Sequence, residues 1–278
     1  ALSVRLPYRQ PLDWSALLEF LAGRATPGVE LVRDGRYLRT VDLGTARGVI
    51  EVTGMDGQVL LSLHGVGTRA LFPVVQRVRS MFDLDAPIDD IANVLGRDTV
   101  LKAMLRNRPG VRVPGAWDGF ELTVRAILGQ QVSVKAATTF AGRIAARYGD
   151  RIELALEDFP DAPCRLFPTP QKLVRARLEN LGIIRSRART IRDVARATLE
   201  GRLSFDATQS AQDFRAALTS IRGIGDWTAE YVAMRAFKNP DAFPASDLGL
   251  LRAFDGEEGR RVRPAELARR ADAWRPWR

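Results

Sequence analysis

Cysteine occurs once in the 278 residues, at Cys164, and histidine once, at His64. A single thiol excludes a disulfide framework and any cysteine-held zinc or iron–sulfur centre. A single imidazole excludes a histidine-based metal site and argues against a Ser–His–Asp device. No run approaches the ~20 consecutive apolar residues that a membrane-spanning helix needs, and no signal peptide opens the chain. The first residue is Ala1 rather than Met, which reads as processing or as a fragment. Lysine is scarce too: Lys102, Lys135, Lys172 and Lys238 are four among 42 basic residues, and the rest are arginines.

Hydrophobic residues make up 46% of the chain, enough for a large core or two packed domains. The formal net charge of +9 favours a polyanionic partner, most commonly a phosphate backbone. A GC-rich genome would produce the same arginine excess, so charge by itself does not decide.

The first stretch of the chain alternates between strand and helix signals. Residues 2–6 read as a strand. Asp13 or Ser15 can cap a helix with Leu17, Leu18 and Leu21 on its apolar face, ending near Gly23. Residues 37–43, 49–53 and 59–63 are β-like runs between Gly or Asp-Gly turn signals, and 70–82 carries apolar residues at helical spacing. Short loops between such runs predict an antiparallel sheet covered on one face. From Asp85 onward helical patterns succeed one another at 88–95, 99–105, 120–128, 134–148, 171–181, 186–199, 211–221, 227–237, 248–254 and 264–274, with prolines at the joins. The fold class expected is α+β: a small N-terminal antiparallel sheet with helices over residues 1–86, then a larger all-helical domain over 87–278.

The most specific signal is Ile221-Arg222-Gly223-Ile224-Gly225-Asp226-Trp227-Thr228-Ala229. A helix with Phe214, Leu218 and Ile221 inward leads into a Gly-x-Gly turn, and a helix with Ala229, Val232, Ala233 and Ala236 inward leads out. Glycine lets the backbone take φ > 0 and approach another backbone closely. Free N–H groups at the start of the outgoing helix form an anion site suited to a phosphate. A plain helix cap would use the same glycines, but the paired helices, Ile224 and the following Thr-Ala agree with a DNA grip that positions without reading sequence.

Further on comes Phe243-Pro244-Ala245-Ser246-Asp247-Leu248. Pro244 stops the preceding segment, and Asp247 falls at the start of a new helix, where an N-cap accounts for it equally well. The combination of hairpin, Gly/Pro-rich stretch and Asp resembles the helix–hairpin–helix DNA glycosylase superfamily. Pro11-Leu12-Asp13-Trp14, Gly28-Val29-Glu30, Phe82-Asp83-Leu84, Arg108-Pro109-Gly110, residues 124–130, Val132-Ser133-Val134 and Trp274-Arg275-Pro276-Trp277-Arg278 extend the likeness along the chain, towards the AlkA-type DNA-3-methyladenine glycosylase II branch.

That resemblance implies an N-glycosyl hydrolase of base excision repair, with Asp247 as the catalytic carboxylate. Phe20, Trp227 and Tyr231 would be the base-pocket aromatics, although ordinary core packing explains aromatics equally often. Gln131, Arg222, Gly223, Ile224, Gly225 and Thr228 would meet DNA. No cofactor is required; a monovalent cation held by the carbonyls of Thr219, Ile221 and Ile224 is implied by the family alone. The partner would be double-stranded DNA with alkylated bases, the protein a monomer, and its place the cytoplasm, at the bacterial nucleoid.

The position at which bifunctional relatives carry a Schiff-base lysine holds Trp227 here, so a monofunctional enzyme is expected. Two departures stand out. The wedge position after Gly129-Gln130, a leucine in familiar relatives, is Gln131. The sequence ends at Arg278, where the family continues into a helix that supplies another pocket tryptophan; proteins fusing such a glycosylase to an adaptive-response methyltransferase are also similar. Two other functions remain open: a non-catalytic module that binds damaged DNA, and a glycosylase for oxidised or mismatched bases. Arg185, Arg189 and Arg192, with Arg187 nearby, are expected to form a solvated basic face, and His64 to be structural.

Overall fold

In a computed structural model, residues 2–44, 46–154, 156–206, 209–255 and 261–278 are described; Ala1, on which the reading of the chain's start rests, lies outside them. Strands β1 (Leu2–Pro7), β2 (Glu30–Arg33), β3 (Arg36–Asp42), β4 (Arg47–Met55) and β5 (Gln58–His64) form one antiparallel sheet in the order β1-β5-β4-β3-β2. Side chains alternate across a strand, so Tyr37, Val41, Ile50, Val52, Leu61 and Leu63 face one way. They bury Leu17, Leu18 and Leu21 of α1 (Trp14–Ala22) and Val74, Val78 and Met81 of α2 (Leu71–Met81). Asp13 caps α1, its carboxylate accepting the Ala16 N–H at 2.9 Å.

The sheet departs from the expectation in two ways. It is covered on both faces, because Leu38 and Val49 on the second face pack against Ile152, Phe159 and Leu166. The chain returns from the helical half to supply that cover. The sheet also gains β2, whose Leu31-Val32 pair sits between charged residues and is too short to show an alternating pattern. His64 is structural as expected, its Nε2 standing 3.2 Å from Glu51 Oε2.

Beyond the sheet come α3 (Ile88–Leu95), α4 (Thr99–Asn107), α5 (Gly119–Gly129), α6 (Val134–Tyr148), α7 (Pro170–Leu173), α8 (Arg185–Leu199), α9 (Ala211–Thr219), α10 (Asp226–Ala236), α11 (Leu248–Ala253) and α12 (Pro264–Ala271). The helix expected over 171–181 is instead the short α7 and a separate 3₁₀ turn at Leu178–Leu181. Leu173, Ala176 and Leu178 are all buried. At 100° per residue one straight helix would aim Leu178 away from the other two, so the chain breaks to bury all three. Nearly every residue along α5 from Phe120 to Leu128 is buried, which makes α5 the central post on which α6, α8 and α10 pack.

Asp98 ties the last helices to this frame. It caps α4 through the Val100 and Leu101 N–H groups, and it accepts from Arg270 of α12 at 2.7 and 2.8 Å and from Trp274 Nε1 at 3.2 Å. Arg270 is the main reason its carboxyl falls from 3.8 to about 2. A depressed folded value adds stability above the ordinary carboxyl range that is lost as pH falls through the folded value. Asp98→Asn should therefore lower stability by about 2 kcal/mol at pH 7 and by little at pH 2, read from urea unfolding at the two pH values.

Candidate active site

The hairpin joins α9 to α10. Gly223 has φ +94°, and a Cβ there would meet Thr190 Oγ1 at 2.3 Å, so only glycine fits. Gly225 differs from the expectation that both glycines serve φ > 0 or close packing. Its backbone is extended, and a Cβ would meet nothing within 4 Å. Nothing in the protein's own packing calls for a glycine at this position.

Two side chains brace the turn. Thr190 of α8 donates to the Arg222 carbonyl at 3.0 Å. Gln130, at the end of α5, donates to the Gly223 carbonyl at 3.0 Å and to Thr228 Oγ1 at 3.1 Å. Thr228 is buried, so its hydroxyl is used internally. Among the described residues the backbone N–H groups of Asp226, Trp227 and Thr228 find no backbone acceptor, as the first turn of a helix requires. Asp226 is strongly exposed at this end and lies 3.2 Å from Arg215.

Asp247 caps α11. Its Oδ1 accepts from the N–H groups of Gly249 at 2.8 Å and Leu250 at 3.1 Å, and its Oδ2 accepts from Trp227 Nε1 at 2.9 Å. The capping reading of the sequence is thus realised, and the second oxygen is held by an aromatic from the hairpin helix. Trp227 in turn stacks on Tyr231 with centroids 5.2 Å apart and planes 14° from parallel. Their i, i+4 spacing on α10 sets this face-to-face geometry.

These three residues line one cleft of about 210 Å³, with Arg24, Arg125, Arg235, Ala126, Gly129 and Val132 among the other walls. That is below the roughly 300–1,000 Å³ of pockets for drug-sized ligands and suits a single planar base. A larger apolar groove of about 560 Å³ lies between α3, α4 and Trp277, away from the Trp227–Asp247 constellation.

Phe20 is placed differently from its companions. It does not line this cleft, and its ring is covered by the guanidinium groups of Arg24 at 3.8 Å and Arg235 at 4.9 Å. Gln131 sits beside the cleft mouth, exposed, with φ +55°. That left-handed backbone in a non-glycine residue is a local strain of order 1–3 kcal/mol.

The sequence reading missed the arginines. Arg235 is buried without a carboxylate partner among the described residues; it donates to the carbonyls of Pro114 and Gly115 and to the Tyr231 hydroxyl. Arg125 donates to Glu30 Oε2 at 2.7 Å and to the Arg24 carbonyl. Arg235 follows Tyr231 at i+4 and could have been found on that face. Arg24 comes from the turn after α1 and Arg125 from α5, and no local pattern joins them. The α8 arginines are not a uniform solvated face: Arg192 is bidentate to Glu179, and Arg187 donates to the Gln130 carbonyl.

Residues 3–118 match the AlkA N-terminal domain, and residues 124–278 match the HhH-GPD superfamily base excision DNA repair protein. The chain is 38% identical to the DNA-3-methyladenine glycosylase 2 of Escherichia coli, over 98% of this chain and 93% of that protein. It is also 38% identical to a probable bifunctional transcriptional activator/DNA repair enzyme AlkA of Mycobacterium tuberculosis, over 99% of this chain but 55% of that protein, so it spans about half the length of that relative. The fold is that of a 3-methyladenine DNA glycosylase from Archaeoglobus fulgidus, with a TM-score of 0.83, 22% identity, and 97% of this chain and 92% of that one covered. The chain belongs to the HhH-GPD superfamily of base excision DNA repair proteins, with an AlkA-type N-terminal domain preceding the helical one.

Proposed function

We propose that the chain is a monofunctional DNA glycosylase that extrudes alkylated bases of the 3-methyladenine class from duplex DNA and hydrolyses their N-glycosyl bond. The observation that carries this is the Asp247 carboxylate fixed by Trp227 Nε1 at the edge of an aromatic-walled cleft of base size.

A stacked base is out of reach, so the nucleotide must be flipped at a cost of a few kcal/mol. The hairpin N–H groups hold a phosphate of the same strand, Gly225 leaves room for it, and Gln131 enters the gap left by the flipped base. Trp227 and Tyr231 offer π faces to an electron-poor ring. An alkylated purine carries positive charge and leaves without much help. The sugar left behind is oxocarbenium-like, and Asp247 stabilises it and orients the attacking water. A Schiff base needs an amine, and among the described cleft-lining residues there is no lysine; Lys238 is engaged with Asp83 at 2.7 Å.

The carbonyls of Thr219, Ile221 and Ile224 would hold a monovalent cation that rigidifies the hairpin. Among the described residues those of Thr219 and Ile224 accept no backbone hydrogen bond, and that of Ile221 accepts only the Ile224 N–H, so the donor set fits. A monomer suits a site built wholly within one chain.

The assay is incubation with methylated duplex DNA, separation of the released bases and inspection of the strand. Release of 3-methyladenine without nicking is expected. Tight binding to abasic DNA with no release would favour a damage-binding module instead. Nicking would overturn the monofunctional assignment.

A further inference from the structure

The turn between α5 and α6 holds a strained backbone in place. The Val132 N–H reaches the Gly129 carbonyl at 3.4 Å, Gln130 sits at φ −59° and ψ 122°, and Gln131 at φ +55°. These are the angles of a type II turn, whose third position favours glycine. A glutamine stands there instead. Turning over the peptide between Gln130 and Gln131 would convert the turn to type I and return Gln131 to negative φ. Arg187 of α8 opposes that flip. Its Nη2 donates to the Gln130 carbonyl, the group that the flip would swing away. Among the described residues this is the one hydrogen bond Arg187 makes, and its Nε is enclosed without a partner.

The same helix braces the hairpin. Thr190, one turn after Arg187, donates to the Arg222 carbonyl at 3.0 Å, and the Gln130 side chain reaches the Gly223 carbonyl. Turn and hairpin are therefore held as one unit. The outcome of the strain is an amide at the cleft mouth, exposed and without a partner among the described residues. Its neighbours Val132 and Val134 are exposed but apolar, and Ser133 is spent on capping α6 through the Ala136 N–H at 3.2 Å.

Resting on the glycosylase reading above, we infer that Arg187 is a positioning residue that locks this turn, and that Gln131, so aimed, hydrogen-bonds the base left unpaired opposite the extruded nucleotide. A primary amide carries a donor group and an acceptor side by side. Each of the four bases presents a donor and an acceptor on its pairing edge, so Gln131 matches whichever base is left behind. A pairing edge enclosed without a partner is costly, and the amide removes that cost while the lesion is out of the stack. The bases it does not serve are those without hydrogen-bonding groups. The cleft takes one strand's base, and the turn reads the other strand.

The test measures binding to duplexes carrying a tetrahydrofuran abasic analogue opposite either thymine or difluorotoluene, which has thymine's shape without its hydrogen-bonding groups. The unaltered chain should bind the thymine duplex roughly 2- to 10-fold tighter, the span of one net hydrogen bond. Gln131→Leu fills the same gap without the amide and should bring the ratio to one; a ratio that persists would overturn the readout. Arg187→Met leaves Gln131 in place and removes the donor that locks the turn. It should also bring the ratio close to one, and Arg187→Lys, which keeps a donor, should restore it. An unchanged ratio in Arg187→Met would overturn the positioning role. If that variant does not fold, the crystal structure of the unaltered protein on the thymine duplex decides. Gln131 at positive φ with its amide on thymine is expected, and a flipped peptide or an amide turned to solvent would overturn the inference. Release of 3-methyladenine with equal affinity for the two duplexes sinks this inference alone. A preference for thymine without any release sinks the catalytic reading and supports this one.

Discussion

Asp247→Asn should slow the release of 3-methyladenine from methylated duplex DNA by on the order of 10²–10³-fold, the usual effect of removing a fixed group that stabilises transition-state charge. Binding to abasic DNA should change little, because the hairpin's backbone groups are untouched. Asparagine caps helices about as well as aspartate, so its oxygen can keep the Gly249 and Leu250 N–H groups. Its amide then faces Trp227 Nε1, which the second carboxylate oxygen now accepts from at 2.9 Å. Some loosening of Trp227 is therefore built into the variant. A thermal melt of both proteins separates that from the loss of charge: a small shift in melting with a large loss of release assigns the role to the carboxylate. Release at the original rate would remove Asp247 from the chemistry altogether.

The other large effect is expected far from any DNA, at Arg39. This arginine of β3 is fully enclosed, with its Nη2 2.8 Å from Glu121 of α5 and its Nη1 3.9 Å from Glu30 of β2. Glu30 also takes the Tyr37 hydroxyl at 2.7 Å, the Thr26 N–H at 2.9 Å and Arg125. Burial would raise the Glu30 carboxyl, but these donors outweigh it and hold it low. Glu121 has fewer partners, and burial wins there, raising it. Arg39→Met keeps roughly the volume and removes the charge that Glu121 depends on. Breaking a buried pair by deleting one partner typically destabilises by about 3–5 kcal/mol, and that loss is expected in urea unfolding at pH 7.

The sign of its pH dependence is a sharper check. In the variant Glu121 is buried with its carboxyl raised further, and such a group favours the folded state below its ordinary range. That contribution is lost as pH rises through the raised value. The deficit should therefore shrink between pH 7 and pH 5. A deficit under about 1 kcal/mol at pH 7, or one independent of pH, would mean the network is not what locks the sheet to α5.

Much of this protein was legible in one dimension. The hairpin at Gly223, the cap at Asp247 and the Trp227–Tyr231 pair each depend on contacts within a few residues, where helical periodicity and backbone preference act directly. Hence α3 and α6 begin and end where their apolar spacing put them, and the aromatic pair stacks as i, i+4 requires. The sequence by itself also excluded cysteine- and histidine-based chemistry and a lysine at the Schiff-base position. What only the tertiary structure decided are matters of long-range approach. It brought Trp227 onto Asp247 across 20 residues, and Glu30 onto Arg125 across 95. It clasped the Phe20 ring between Arg24 and Arg235, and returned Ile152, Phe159 and Leu166 to cover the second face of the sheet. It gathered Arg24, Arg125 and Arg235 in the wall of one cleft. A charged residue shows no period and no local preference that says which partner it will meet. Its position in the cleft follows only once the packing of the sheet on α5 has fixed where the two halves of the chain touch.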